Sequence, residues 1–134
     1  MRAYTHLKGL LTAILADLGA AWPEKASIEP PKDKKFGDMA CNVAMLTAGA
    51  LGKKPRDLAQ ELADRLLAAD PGLARVEVAG PGFLNVTFAP SFWQKTVEEV
   101  LDTRQCYGKF NLGRGRKVQV EFVSANPTGP LHIG

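Results

Sequence analysis

Two short alternating stretches, Arg75 to Val78 and Phe83 to Phe88, stand on either side of Gly80-Pro81-Gly82. Alternation at period two marks a strand, and a Gly-Pro-Gly spacer reverses the chain, so the pair predicts two antiparallel strands. Successive side chains of a strand point to opposite faces. Leu84, Val86 and Phe88 therefore share one face, and Phe83, Asn85 and Thr87 share the other.

The remaining apolar patterns are helical. Leu7, Leu10, Leu11, Ile14, Leu15 and Leu18 recur at the three-and-four spacing of one helix face, with Gly19 as a stop. From Trp22 to Gly37 the prolines Pro30 and Pro31 exclude a helix and allow a loop or an edge strand around Ser27 to Glu29. Asp38 is expected to cap a second helix reaching about Leu51, with Val43, Leu46 and Ala50 turned inward. Pro55 suits the first turn of a third, with Asp57 and Glu61 toward its positive end, Leu58, Leu62 and Leu66 as its buried stripe, and Pro71-Gly72 as its end. Ser91 with Gln94 reads as a capping box for a fourth, carrying Trp93, Val97, Val100 and Leu101. The first 112 residues thus predict an α+β unit, about four helices on a small, mostly antiparallel sheet.

A polar connector from Tyr107 to Arg116, with Gly108, Gly113 and Gly115, has the composition of a linker. Beyond it Val118, Val120 and Phe122 alternate with Gln119, Glu121 and Val123, which predicts a further strand. The expected division is 1–112 and 113–134, the second part being the first strand and loop of a domain otherwise absent. Such a strand, made for burial in a parallel sheet, is expected to be disordered here or to pair with a second copy of the chain.

Composition narrows the function classes. At 134 residues, 46% hydrophobic and 23% charged, the chain can bury its own core. It has no run of eighteen apolar residues, and Met1 to Leu11 lacks the pattern of a signal peptide, so no membrane and a cytoplasmic location are expected. Cys41 and Cys106 lie 65 positions apart without zinc or redox spacing, which predicts free thiols and no metal site. A net charge of +3 leans toward a polyanionic partner. The cations gather in three groups: Lys32, Lys34 and Lys35; Lys53, Lys54 and Arg56; Arg114, Arg116 and Lys117. Any one of these is more often a solvated loop than a binding site.

The sharpest motif is the string Val120-Glu121-Phe122-Val123-Ser124-Ala125-Asn126-Pro127-Thr128-Gly129-Pro130-Leu131-His132-Ile133-Gly134. A strand feeding a Pro/Gly-rich loop that ends in His-Ile-Gly can bring backbone and an imidazole beside phosphates. It resembles the segment around the "HIGH" signature of class I aminoacyl-tRNA synthetases, and Ser-Ala-Asn-Pro-Thr-Gly-Pro-Leu-His resembles the arginyl enzyme among them. Gly37-Asp38-Met39-Ala40-Cys41-Asn42 and Gly80-Pro81-Gly82-Phe83-Leu84-Asn85 are similar to segments of that enzyme's additional N-terminal domain.

The resemblance implies a small α+β domain ahead of a Rossmann-type catalytic domain and a helical anticodon-binding domain. It implies a parent that makes arginyl-adenylate from arginine and ATP, with Mg2+, and moves arginine to the tRNA. Glu121 would face the substrate guanidinium, where a carboxylate accepts a bidentate fork. Ser124 and Asn126 would meet the arginine backbone groups, and Pro130, His132 and Gly134 would lie at ATP, with His132 stabilising charge as pyrophosphate leaves. The second signature histidine would be residue 135, so this N-terminal piece is expected to be catalytically inactive. Its additional domain would meet the tRNA D-loop and outer corner, with Phe83 and Asn85 combining a ring for stacking and an amide for a base edge, and Lys53 and Lys54 meeting phosphates. From alternation alone Phe83 is as readily a core residue. The expected parent is a monomer whose remaining domains are this unit's other partners. The competing reading is a free-standing RNA-binding or interaction module that shares the domain.

Overall fold

The computed structural model describes residues 2–109 and 113–120. In chain order the elements are α1 (Arg2–Asp17), β1 (Ile28–Glu29), a 3-10 turn (Lys34–Phe36), β2 (Met39–Cys41), α2 (Val43–Thr47), α3 (Pro55–Ala69), β3 (Leu73–Ala79), β4 (Phe83–Phe88), α4 (Pro90–Thr103) and a second 3-10 turn (Arg104–Cys106). The expected class is found, four helices with a four-stranded antiparallel sheet of order β1-β2-β4-β3.

Register explains which face is covered. Ile28 stands opposite Cys41, Cys41 opposite Leu84, and Leu84 opposite Val78, an apolar row running across all four strands. Met39, Val86 and Val76 make a second row. Onto these rows pack Leu7, Leu11 and Leu15 of α1, Val43 and Ala44 of α2, and Leu58, Leu62 and Leu66 of α3, all fully buried. Each such leucine contributes about 1.5–3 kcal/mol of transfer free energy, so the core is carried by α1, α3 and β4. Cys41 belongs to it, and burial pushes its thiol up to about 11, where it is an inert small apolar side chain at neutral pH. Beyond α1, Ala20 N–H donates to Leu15 O at 2.8 Å, the closing bond expected around a Gly19 stop.

Three expectations are corrected. Asp38 caps no helix: its N–H donates to Val86 O and its carboxylate accepts the Phe88 N–H at 2.8 Å, so it stitches the entry of β2 to β4. The residues after it form a strand, and α2 is a short helix that ends at Thr47; Val43 is buried, while Leu46 and, beyond the helix, Ala50 face solvent. No capping box opens α4. Pro90 takes its first turn, which makes Ala89 the cap residue and leaves no side-chain cap bond. Of α4's side chains only Phe92 is buried; Trp93, Val97, Val100 and Leu101 are exposed. Residues 116–120 are the described part of the stretch expected to be disordered or to pair with a second copy; they form no strand, Val118 and Val120 are exposed, and the rest of that stretch lies outside the described residues.

Candidate nucleic-acid interface

With the helices gathered on one side, the opposite face of the sheet carries the second set of alternating side chains. Asn85 sits between Ala40 of β2 and Glu77 of β3, Phe83 lies opposite Ala79, and Thr87 opposite Arg75. Paired residues of an antiparallel ladder project to the same side, so these side chains form one surface. Its polar groups include an Arg75 to Glu77 ion pair at 3.3 Å.

Phe83 is 40% exposed. A ring held on a central strand and left half open to water is the geometry of a stacking platform, not of a core residue. Asn85 is 8% exposed, wedged between its cross-strand neighbours. No hydrogen bond among the described residues engages its carboxamide, and none of their buried polar side-chain atoms lacks a partner. The carboxamide of this buried residue is therefore not sealed from solvent, and its donor and acceptor make no hydrogen bond to the described residues.

Tertiary structure brings the start of α3, which carries the second cationic group, to the hairpin tip that leads into Phe83. Gly82 immediately precedes Phe83, with φ of +144°, and a Cβ there would stand 2.9 Å from the carbonyl oxygen of Pro55. Only glycine permits that approach, which seats the start of α3 on the hairpin tip. Arg56 donates to Gly80 O at 3.4 Å across the same junction. Lys54, exposed at the helix entrance, makes no side-chain hydrogen bond or ion pair among the described residues. Lys53 is different: it is paired with Glu61, which also accepts from Arg65 at 3.0 Å. The Lys53 hydrogen bond, aided by Arg65 and opposed by burial, holds the Glu61 carboxyl below its ordinary range. Of the two lysines singled out in the sequence, Lys54 is thus the one whose charge is uncommitted. Arg56 was legible only as a member of a cluster; its place at the hairpin tip goes with the contact between Gly82 and Pro55.

The other end of the surface was not anticipated. Gly37, with φ of +97°, lies so close to β4 that a Cβ would stand 2.7 Å from Val86 O and 2.8 Å from Thr87 Oγ1. The Lys34–Phe36 turn is thereby placed at the Thr87 end of the sheet. The sequence signal was a phenylalanine inside an otherwise polar, lysine-rich stretch.

Glu121, Ser124, Asn126, Pro130, His132 and Gly134 lie outside the described residues. Among the described residues no group of three or more His, Cys, Asp or Glu could hold a metal ion, and no helix is long and apolar enough to cross a membrane.

Comparison with known proteins bears on this surface. Residues 5–88, from within α1 to the last residue of β4, match the family model for the arginyl tRNA synthetase N terminal domain. The chain belongs to that family. It is 55% identical to an arginine-tRNA ligase of Oleidesulfovibrio alaskensis and 59% identical to one of Solidesulfovibrio magneticus, in each case over all of this chain and 24% of the relative. The chain spans about a quarter of the length of these curated relatives. A solved arginyl-tRNA synthetase from Plasmodium falciparum shares the fold, with a TM-score of 0.61 and 13% identity over 73% of this chain and 18% of that one. Phe83, Asn85, Lys53 and Lys54 all fall inside the span matched to the family, whereas α4 and everything after it fall outside.

Proposed function

We propose that this chain is the N-terminal part of an arginine-tRNA ligase and that its role there is to hold the D-loop and outer corner of the tRNA. The parent would activate arginine with ATP and Mg2+ in the cytoplasm and transfer it to tRNA. In that reading the unit ends near Leu112 and residues 113–134 begin the catalytic domain. Glu121, Ser124 and Asn126 would then serve arginine, and Pro130, His132 and Gly134 would serve ATP, His132 as the catalytic group. The chain by itself would contribute recognition and no adenylate chemistry.

The observation that carries the proposal is the half-exposed Phe83 ring with the unengaged Asn85 amide on the same strand face, at a hairpin whose tip meets the start of α3 that bears Lys54 and Arg56. A single-stranded RNA loop needs this combination: a flat apolar surface for a base, an amide for its edge, and cations for the flanking phosphates.

The test is binding of a tRNA D-arm to Phe83→Ala and Asn85→Ala at low salt. Phe83→Ala should lose ~1–3 kcal/mol of affinity, the usual worth of one stacked base, with little change in Tm. Asn85→Ala should weaken only the D-loop carrying the matching base. Unchanged affinity in both variants removes the role of this face. Absence of arginine-dependent ATP-pyrophosphate exchange by the chain alone is the companion expectation, and exchange above background would contradict it. The exposed Val118 and Val120 support self-association through the stretch beginning there, which deletion after Leu112 should abolish in sedimentation.

A further inference from the structure

The open face has two ends, and the reading above uses the one at Phe83. At the other, Gly37 seats its loop against Thr87, four residues further along β4, roughly 13 Å away at about 3.3 Å per residue. The turn before Gly37 exposes Phe36, 43% accessible and the second half-open aromatic ring at this sheet. Lys35 lies over that ring, its Nζ 4.9 Å from the centroid, and is paired with Asp33 at 2.9 Å. Lys35 N–H and the Asp33 carboxylate fix the turn at 3.0 Å. The side chains of Lys32 and Lys34 are exposed and make no ion pair or hydrogen bond among the described residues. Arg75 stands opposite Thr87 on the same face.

The two ends therefore repeat one arrangement. Each has a half-exposed ring on a locally fixed backbone and uncommitted cations beside it, and Asn85 lies between them. Such a pair spaced along a sheet is what a single strand of nucleic acid requires, because base stacking tolerates any base and the cations follow the backbone. A purely structural Phe36 would be buried against the core; this ring is half exposed and meets the Lys35 ammonium.

We infer that the Lys34–Phe36 turn is a second nucleotide-binding position for single-stranded RNA, with a base stacked on Phe36 and phosphates met by Lys32 and Lys34. The inference rests on the proposal that this face binds RNA. It adds a separate contact that places a second unstacked nucleotide toward the Thr87 end of the sheet.

The experiment measures binding of an arginine tRNA transcript, and of poly(U), to the 134-residue chain carrying Phe36→Ala, Phe36→Leu, Lys34→Gln or Phe83→Ala. Phe36→Ala should lower affinity for the transcript roughly 5- to 100-fold without lowering Tm. Phe36→Leu, which keeps apolar volume and loses the stacking ring, should also weaken binding and serves if the alanine variant folds poorly. Lys34→Gln should weaken both RNAs and reduce the slope of log affinity against log salt by about one. If both Phe36 variants bind the transcript like the parent chain while Phe83→Ala weakens it, the second position is wrong and the first stands. If neither ring matters, the RNA reading of the whole face falls with it.

Discussion

α3 and α4 are built from similar sequence and held in opposite ways. Each starts with proline in the first turn, each is amphipathic, and they are 15 and 14 residues long. α3 buries Leu58, Ala59, Leu62, Ala63 and Leu66 against the sheet and α2. α4 is fastened by its first turn, where Phe92 stacks on Phe88 at 4.2 Å with Trp93 edge-on, and by Arg2, which reaches Glu99 at 2.8 Å and Thr96 at 3.2 Å. Its stripe of Val97, Val100 and Leu101 meets solvent. Periodicity reports that a helix has an apolar face; it does not report what covers the face.

The largest expected effect separates the two directly. Leu62→Ala leaves a cavity at the centre of the α3 contact and should cost ~2–5 kcal/mol, read as a lower urea midpoint at constant m-value. A loss under 1 kcal/mol would mean that the core closes over the gap and that α3 is held no more firmly than α4.

Gly82→Ala should cost less, about 1–3 kcal/mol, because it strains a positive φ and drives a Cβ into the Pro55 carbonyl. The same substitution should push the start of α3 from the hairpin tip and weaken RNA binding along with stability. Reduced stability with unchanged RNA affinity would show that Lys54 and Arg56 do not act with Phe83.

How much of this was legible follows from where each cause lies along the chain. α1, α3 and the β3–β4 hairpin are set by patterns within a few residues, and the face assignment of Phe83 and Asn85 follows from the same period-two rule. Asp38 misled because its partner, the Phe88 N–H, is 50 residues away, and an aspartate that accepts across a sheet looks in sequence like a helix cap. Ser91 misled because Pro90 moved the helix start two residues earlier. In the candidate site, neither the pairing of Lys53 with Glu61 nor the placing of Lys54 and Arg56 at the hairpin tip has a local signature. Both depend on how α3 docks, and the seating of the Phe36 turn depends on the approach of Gly37 to Val86 and Thr87.

The end of α3 offers a finer comparison through pH. Asp70, the residue that closes the helix, accepts from His6 of α1 at 2.5 Å and from Gly72 N–H at 2.7 Å. Burial pushes its carboxyl up, but those bonds and the nearby Lys95 outweigh burial and hold it below its ordinary value of 3.8. A carboxyl depressed in the folded state stabilises above its unfolded pKa, and that contribution is lost as pH falls through the folded one. Stability should therefore drop as pH falls below about 4, and Asp70→Asn should remove that part of the acid limb while lowering stability at pH 7. An acid limb identical in Asp70→Asn would mean that this clasp contributes nothing to holding α3 against α1.

The smallest expected effect is the most pointed test of the comparison. Val97 is 58% exposed in the middle of the α4 stripe, so Val97→Ser removes little buried surface and opens no enclosed cavity. Its cost should stay within ±0.5 kcal/mol, the range of surface substitutions, with helix propensity nearly balanced because valine and serine are both moderate formers. Phe92→Ala, five residues earlier, removes the ring that stacks on Phe88 and should cost ~3–5 kcal/mol or release the helix altogether. Thermal unfolding of the pair measures how α4 is held: a large loss for Phe92 beside a negligible one for Val97 means that the apolar attachment is made by the first turn and not by the stripe. A loss above 1 kcal/mol for Val97→Ser that grows with protein concentration would instead place the stripe in contact with a second copy, and one independent of concentration would place it within the folded unit.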